Sequence, residues 1–202
     1  MRIIECEQGS PEWLLARLGV PSASSYSKLI TTTGKSSAQA DAYINQLVAE
    51  RLTGEPTFFQ ITDPMQRGMD LEPQARTAYE METGNLVSQV GFLMHDTLQA
   101  GASPDGMVGE NGGLEIKCPS AHTHVEYLRD GDLPIKYFQQ VQGCLWISGR
   151  DWWDFMSYHP KMEPLIVRVF RDEEFIKALE CAVIDTVKVI EILTMKFRSK
   201  HE

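Results

Sequence analysis

The chain has 202 residues, 43% hydrophobic and 23% charged, with a formal net charge of −9, which suits one domain over 1–202 and argues against a generic, basic nucleic-acid binder without excluding a nuclease. No apolar run approaches the roughly 20 residues of a membrane span, and the stretch from Met1 to Glu7 lacks the apolar core of a secretory signal. Cys6, Cys118, Cys144 and Cys181 show no CxxC spacing, so structural zinc is not expected and the thiols fit a reducing cytoplasm.

Ser10 to Gly19 predicts a short helix, with Ser10 as cap, Pro11 in the first turn and Gly19 as stop. The run Pro21-Ser22-Ala23-Ser24-Ser25 opens a second helix through Leu29 and Ile30. Arg17 and Ser24 flank this turn. A guanidinium fork beside a serine-rich helix start suits a phosphate, but taken alone the segment reads more simply as capping chemistry beside a solvated arginine. Gly34-Lys35-Ser36 lies in a polar loop; Ile30 stands where a P-loop needs glycine, so Lys35 is read as a loop lysine. A helix from about Ser37 to Leu52 follows, ended by Gly54.

Asp63-Pro64 starts a helix that runs to Thr83, with Met69, Ala75, Ala78 and Tyr79 as its apolar face. Pro73 inside it predicts a kink or restart near Glu72, which could turn that acid toward a site. The segments 86–94, 98–108 and 113–118 read as three successive antiparallel strands.

The last of these carries the chemistry. In Gly113 to Cys118, Leu114, Ile116 and Cys118 alternate with Glu115 and Lys117. Asp105 to Val108 folds back onto this strand through Gly109-Glu110-Asn111-Gly112-Gly113, and a turn centred near Glu110 sets Asp105 opposite Glu115. Facing side chains start about 4.5–5.5 Å apart at Cβ. Two carboxylates so close repel unless a cation joins them, and Mg²⁺ takes hard oxygen ligands while keeping waters. The bland reading is a surface hairpin with a weak Glu–Lys pair.

Ser120 to Arg129 predicts a helix whose His122 and His124 are too close in sequence to share a face, which argues against zinc there. Pro134 to Ile147 predicts a helix with Tyr137, Gln140 and Trp146. Strands at 151–158 and 165–170 follow, then a helix from Asp172 to Lys196. The order gives an α/β or α+β fold, with a central mixed sheet flanked by helices.

Five blocks resemble, in order, the lambda-exonuclease family of viral-type recombinases within the PD-(D/E)xK nucleases: Trp13 to Ser24, Gly68 to Arg76, Ser103-Pro104-Asp105-Gly106, Leu114-Glu115-Ile116-Lys117-Cys118-Pro119, and Tyr137 to Gln142 with Trp146. The resemblance implies a restriction-endonuclease-like core and a 5′→3′ exonuclease on double-stranded DNA ends. Such an enzyme releases mononucleotides and leaves a 3′ tail. The resemblance further implies Mg²⁺, with Mn²⁺ able to substitute and two ions per site, a ring-shaped homotrimer and a single-strand annealing protein as partner. By motif, Asp105, Glu115 and the Ile116 carbonyl would be metal ligands, with Lys117 the catalytic lysine. Glu72 would be the helix acid and Gln140 the motif glutamine. Arg17, Ser24 and Ser103 would form the 5′-phosphate pocket, with Trp13, Lys35 and Tyr137 as further DNA contacts. A PD-(D/E)xK endonuclease, a junction resolvase and a non-catalytic DNA-end-binding module are the rival readings. The phosphate pocket counts against the first two, and the complete Asp–Glu–Lys set against the third.

Overall fold

Alternating side chains at the centre of the chain build a mixed sheet, because each strand must present one row of residues to each face. The computed structural model describes residues 1–57 and 62–199. In chain order the strands are β1 (Arg2–Ile4), β2 (Val87–Ser88), β3 (Phe92–Met94), β4 (Gly101–Ala102), β5 (Gly106–Val108), β6 (Gly112–Lys117), β7 (Trp152–Ser157) and β8 (Leu165–Phe170). The α-helices are α1 (Pro11–Arg17), α2 (Ala40–Thr53), α3 (Asp63–Thr83), α4 (Ala121–Asp130), α5 (Phe138–Ser148) and α6 (Glu173–Arg198). Two 3₁₀ segments, Ala23–Lys28 and Ile135–Tyr137, precede α2 and α5.

The main sheet has the order β2-β5-β6-β7-β8, with β6 and β7 parallel and its other pairs antiparallel. The parallel pair needs a crossover, supplied by α4 and α5. A smaller sheet has the order β1-β3-β4. On one face of the main sheet, Leu114, Ile116, Cys118 and Met156 pack on Ala75 and Tyr79 of α3. On the other, Trp153 and Met107 join Val141 and Leu145 of α5 and Leu179 and Val183 of α6. Gly113 is required here: a Cβ would stand 2.2 Å from the Trp153 ring. Arg150 Nη1 donates to the carbonyls of Val108, Gly109 and Gly112 at 3.2, 2.8 and 2.6 Å, which pins the β5–β6 turn from outside the hairpin. Among the described residues no helix is long and apolar enough to cross a membrane.

Three local expectations need correction. Residues 86–118 do not form three consecutive strands. They break into five short ones shared between two sheets, with Val87–Ser88 pairing to β5 and Phe92–Met94 pairing to β1 and β4. The switch falls at Gly91, where a Cβ would stand 2.4 Å from the Cys6 carbonyl, so only glycine lets the N-terminal arm pass this close. The second correction concerns only the restart expected near Glu72: α3 runs as one helix across Pro73. Pro73 and Met69 are both exposed, so the carbonyl that Pro73 leaves unpaired lies on the wet side of the helix. The third is Met69 itself, which leaves the apolar face; Leu71 joins Ala75, Ala78 and Tyr79 there instead.

Candidate active site

The site grows from a gap between the two sheets. β4 ends at Ala102 and β5 begins at Gly106, so Ser103, Pro104 and Asp105 cross from one sheet to the other. Pro104 has no N–H to offer a ladder. Its carbonyl accepts from Gln8 Nε2 at 2.8 Å, and the same amide reaches the Val90 carbonyl at 3.0 Å, tying the crossing to the N-terminal arm. This link carries Ser103 and Asp105 two residues apart, the first bonded to Arg17 and the second to the β6 backbone.

Downstream, Asp105 meets the β6 acids. The β5–β6 ladder ends at Gly106↔Leu114, and just beyond it Asp105 Oδ2 accepts from the Ile116 N–H at 2.6 Å. Glu115 is fully buried. Its Oε1 accepts from Lys117 Nζ and, at 2.6 Å, from Gln140 Nε2 on α5. Its Oε2 is buried without a protein donor, so the carboxylate keeps lone pairs for a hard cation. Glu72 of α3 pairs with Arg76 one turn on. Tyr137 stacks on Phe155 at 5.1 Å between centroids and lies 5.5 Å from Lys117 Nζ.

Burial dominates the electrostatics. It pushes Glu115 up to about 7, with Lys117 opposing and Asp105 adding to the rise. Asp105 is raised by burial against the pull of Lys117 and the Ile116 N–H. Glu72 is raised by burial and by Asp105, with Arg76 and Lys117 opposing. Burial disfavours the Lys117 ammonium, yet Glu115 and Asp105 together lift it above the ordinary lysine range. Three carboxylates thus face the two cations Lys117 and Arg76, an excess of negative charge that a divalent ion would offset. Among the described residues no group of three or more His, Cys, Asp and Glu is gathered as a metal cluster, so the fit rests on Asp105, Glu115 and backbone oxygen.

Upstream, Ser103 belongs to a second cluster. Ser10 caps α1 by accepting from the Trp13 N–H, and Trp13 and Arg17, four residues apart, share one face. Ser103 Oγ accepts from Trp13 Nε1 at 3.0 Å and from Arg17 Nη1 at 2.8 Å. The Arg17 guanidinium lies 4.1 Å from the Trp13 ring centroid, and its Nη2 reaches Ser22 Oγ at 3.5 Å. Among the described residues Arg17 has no carboxylate partner. Its fixed positive charge is held by hydroxyls and a ring, and is free for an anion.

Trp13, Arg17, Ser103, Asp105, Glu115, Ile116, Lys117, Gln140, Glu72 and Tyr137 are therefore brought into two adjoining clusters. Ser24 is not: it is exposed, and Ser22 bonds Arg17 in its place. Lys35 is exposed on the Thr31–Ser37 turn, and no described hydrogen bond or ion pair joins it to either cluster. Gln8, Ser22 and Arg76 are not singled out by the sequence. Arg76 carries a signal, since it stands one helical turn from Glu72; Gln8 carries none.

Residues 12–151 match the YqaJ-like viral recombinase domain. The chain belongs to this family. Membership agrees with the lambda-exonuclease resemblance and with the mixed, helix-flanked sheet. Among solved structures, this YqaJ-like chain is similar to an alkaline exonuclease (LHK-Exo) from Laribacter hongkongensis, at 36% identity and a TM-score of 0.86, covering 95% of this chain and 98% of that one. A structure of LHK-Exo in complex with dAMP matches with the same figures. A phage-related exonuclease from Haemophilus somnus 129PT, 17% identical with a TM-score of 0.67, covers 88% of this chain and 96% of that one and shares the fold. No curated protein matches the chain.

Proposed function

We propose that this YqaJ-family chain is a Mg²⁺-dependent exonuclease that degrades double-stranded DNA 5′→3′, releasing 5′-mononucleotides and leaving a 3′ single-stranded tail. One observation carries the reading: Ser103-Pro104-Asp105 joins the Arg17 cluster to the acid cluster through two residues of chain, at most about 7 Å. Neighbouring phosphates of one strand can then occupy both. The likeness to LHK-Exo, an alkaline exonuclease also seen in complex with the mononucleotide dAMP, supports this reading.

Asp105, Glu115 and the Ile116 carbonyl would hold Mg²⁺, or Mn²⁺ in its place, as two ions per site. When bound, the metal supplies an acidified water and charge stabilisation at phosphate oxygens. Gln140 and Lys117 both donate to Oε1 of Glu115 and so orient its carboxylate with Oε2 left open. Lys117 keeps its proton and donates to a non-bridging phosphate oxygen as charge builds there. Glu72, with its raised affinity for protons, takes one from the attacking water. The water oxygen bonds phosphorus, the bond to the 3′-oxygen breaks, and that oxygen takes a proton from solvent. Arg17, Ser103 and Trp13 seat the terminal phosphate, whose nearly two negative charges hold a guanidinium better than the single charge of an internal diester. The family resemblance supports a homotrimeric ring, a single-strand annealing protein as partner and a cytoplasmic setting. A ring can confine positive charge to its channel while the chain as a whole is acidic.

The test is digestion of end-labelled linear duplex with Mg²⁺ or with EDTA, on 5′-phosphorylated and 5′-hydroxyl ends. Wild type should prefer the phosphorylated end and stop in EDTA. Arg17→Ala should lose a charge-assisted contact of roughly 1.5–3 kcal/mol, slowing the phosphorylated substrate about 10- to 100-fold and the hydroxyl one little. Degradation from 3′ ends, or a wild-type preference for 5′-hydroxyl ends, would refute polarity and pocket together. Cutting of closed circles would return the endonuclease reading.

A further inference from the structure

The Arg17 cluster does not hold itself in place. Between Arg17 and Ser22 the chain makes a tight turn, and one face of α2 grips it. Tyr43, Leu47, Glu50 and Arg51 recur at offsets of four, seven and eight residues, a single helical stripe. Glu50 is buried, and its Oε2 accepts from the Gly19 N–H at 2.9 Å. Its Oε1 accepts from Gln46 Nε2 at 2.9 Å and from the Thr57 N–H at 3.3 Å. Arg51 Nε donates to the Gly19 carbonyl at 2.8 Å, so the peptide groups on both sides of Gly19 are held by α2. Gly19 has φ +63°, and a Cβ there would stand 2.3 Å from Arg51 Cγ. Tyr43 reaches the far end of the turn, where its hydroxyl accepts from the Ser22 N–H at 3.3 Å. Ser22 in turn bridges Gly101, two residues before Ser103.

The bonds from Glu50 and Arg51 to Gly19 and from Tyr43 to Ser22 end on backbone flanking the groups that face the phosphate, while Gln46 and Thr57 hold Glu50 itself. Glu50 also acts by its charge. Among the described residues it forms no ion pair, and its donors are all neutral, yet its carboxylate favours the charge that burial of Arg17 opposes. A carboxylate capping one loose turn would serve stability alone. Here the same carboxylate sits behind Arg17, which among the described residues forms no ion pair.

We propose that Glu50 and Tyr43 are positioning residues that hold Arg17 and Ser22 in line with Ser103, and thereby set the preference for a terminal phosphate. This rests on the exonuclease reading. Misplacing a substrate-binding group by about 1 Å can cost up to 100-fold, so partial loosening is expected to cost about 10-fold. Glu50→Gln replaces one acceptor oxygen by an amide, leaving Gly19, Thr57 or Gln46 without its acceptor. Tyr43→Phe removes the acceptor of the Ser22 N–H, together with the hydroxyl's contacts to the Ser22 and Ser25 side chains, and keeps the ring in the core.

The experiment measures initial rates and KM on 5′-phosphorylated and 5′-hydroxyl duplex for wild type, Arg17→Ala, Glu50→Gln and Tyr43→Phe, with thermal unfolding of each. Both α2 variants should lower the phosphate-over-hydroxyl rate ratio about 10-fold, chiefly by raising KM for the phosphorylated end, with a smaller loss on hydroxyl ends. Equal losses on both substrates, or an unchanged ratio in the folded variants, would overturn the proposal. Tyr43→Phe decides the outcome should Glu50→Gln not fold. The wild-type and Arg17→Ala ratios judge the pocket separately: a pocket confirmed by them alongside α2 variants that keep the wild-type ratio would leave the exonuclease reading standing and remove the clamp.

Discussion

Lys117 and its two acids divide the labour of the site, and substitution separates them. Asp105→Ala and Glu115→Ala each take away an oxygen donor for the metal and little apolar volume, so both should lower cleavage with Mg²⁺ at least about 100-fold. Lys117→Ala removes the only cation bonded to Glu115 among the described residues, along with the donor aimed at the developing phosphate charge. Its expected cost is on the order of 10²–10³ in kcat, with duplex affinity in EDTA nearly intact. Gel shift beside single-turnover rates checks this, with circular dichroism as the control for folding. An equal loss of binding and rate would reduce Lys117 to a phosphate contact.

At the scale of the element, the β5–β6 hairpin carries a built-in electrostatic strain. Burial lifts Glu115 from its ordinary 4.5 to about 7, so the folded chain holds a proton there that the unfolded chain has released. The stability tied to that proton is complete below about pH 4.5 and is lost as pH rises through about 7. A divalent cation between the acids takes the place of the proton at higher pH. Melting should therefore respond to Mg²⁺ more at pH 8 than at pH 5.5. At 100 times the dissociation constant the gain is about 2.7 kcal/mol, or roughly 5–10 °C for a chain of this size. Thermal unfolding at both pH values, with Mg²⁺ and with EDTA, reads this difference. An equal shift at both would remove the acid pair as the metal site.

For the whole molecule, a net charge of −9 and a DNA substrate pull in opposite directions. The proposed ring resolves this by gathering cations such as Arg17, Lys117 and Arg76 toward one passage. Light scattering at micromolar concentration should give three times the mass of the 22.8 kDa chain. A monomer that degrades long duplexes without releasing them would rule the ring out.

The amino-acid sequence by itself determines the features whose signal is local. Ser10 and Asp172 do cap α1 and α6 through their side chains, and Gly54 and Gly84 do end α2 and α3 in the left-handed region. The alternation in β6 correctly sends Leu114 and Ile116 to one face and Glu115 and Lys117 to the other, because a strand repeats every two residues whatever it pairs with. That Asp105 comes back beside β6 follows from the turn between β5 and β6, and its carboxylate meets the Ile116 N–H there. Which serine meets Arg17 cannot be read this way. Ser22 and Ser24 stand in the same hydroxyl run, and only the bridge from Ser22 to Gly101 and its grip by Tyr43 decide between them. The split of residues 86–118 between two sheets is equally hidden, since it depends on β1, more than eighty residues away, competing for β3. Gln8 on Pro104, Arg150 on the hairpin turn and Glu50 on Gly19 are contacts of the same long-range kind. Caps, turns and periodicity are energies between near neighbours and are written in the sequence. The meeting of distant backbone segments is settled only by how the whole chain packs, and that packing sets the phosphate pocket beside the acids.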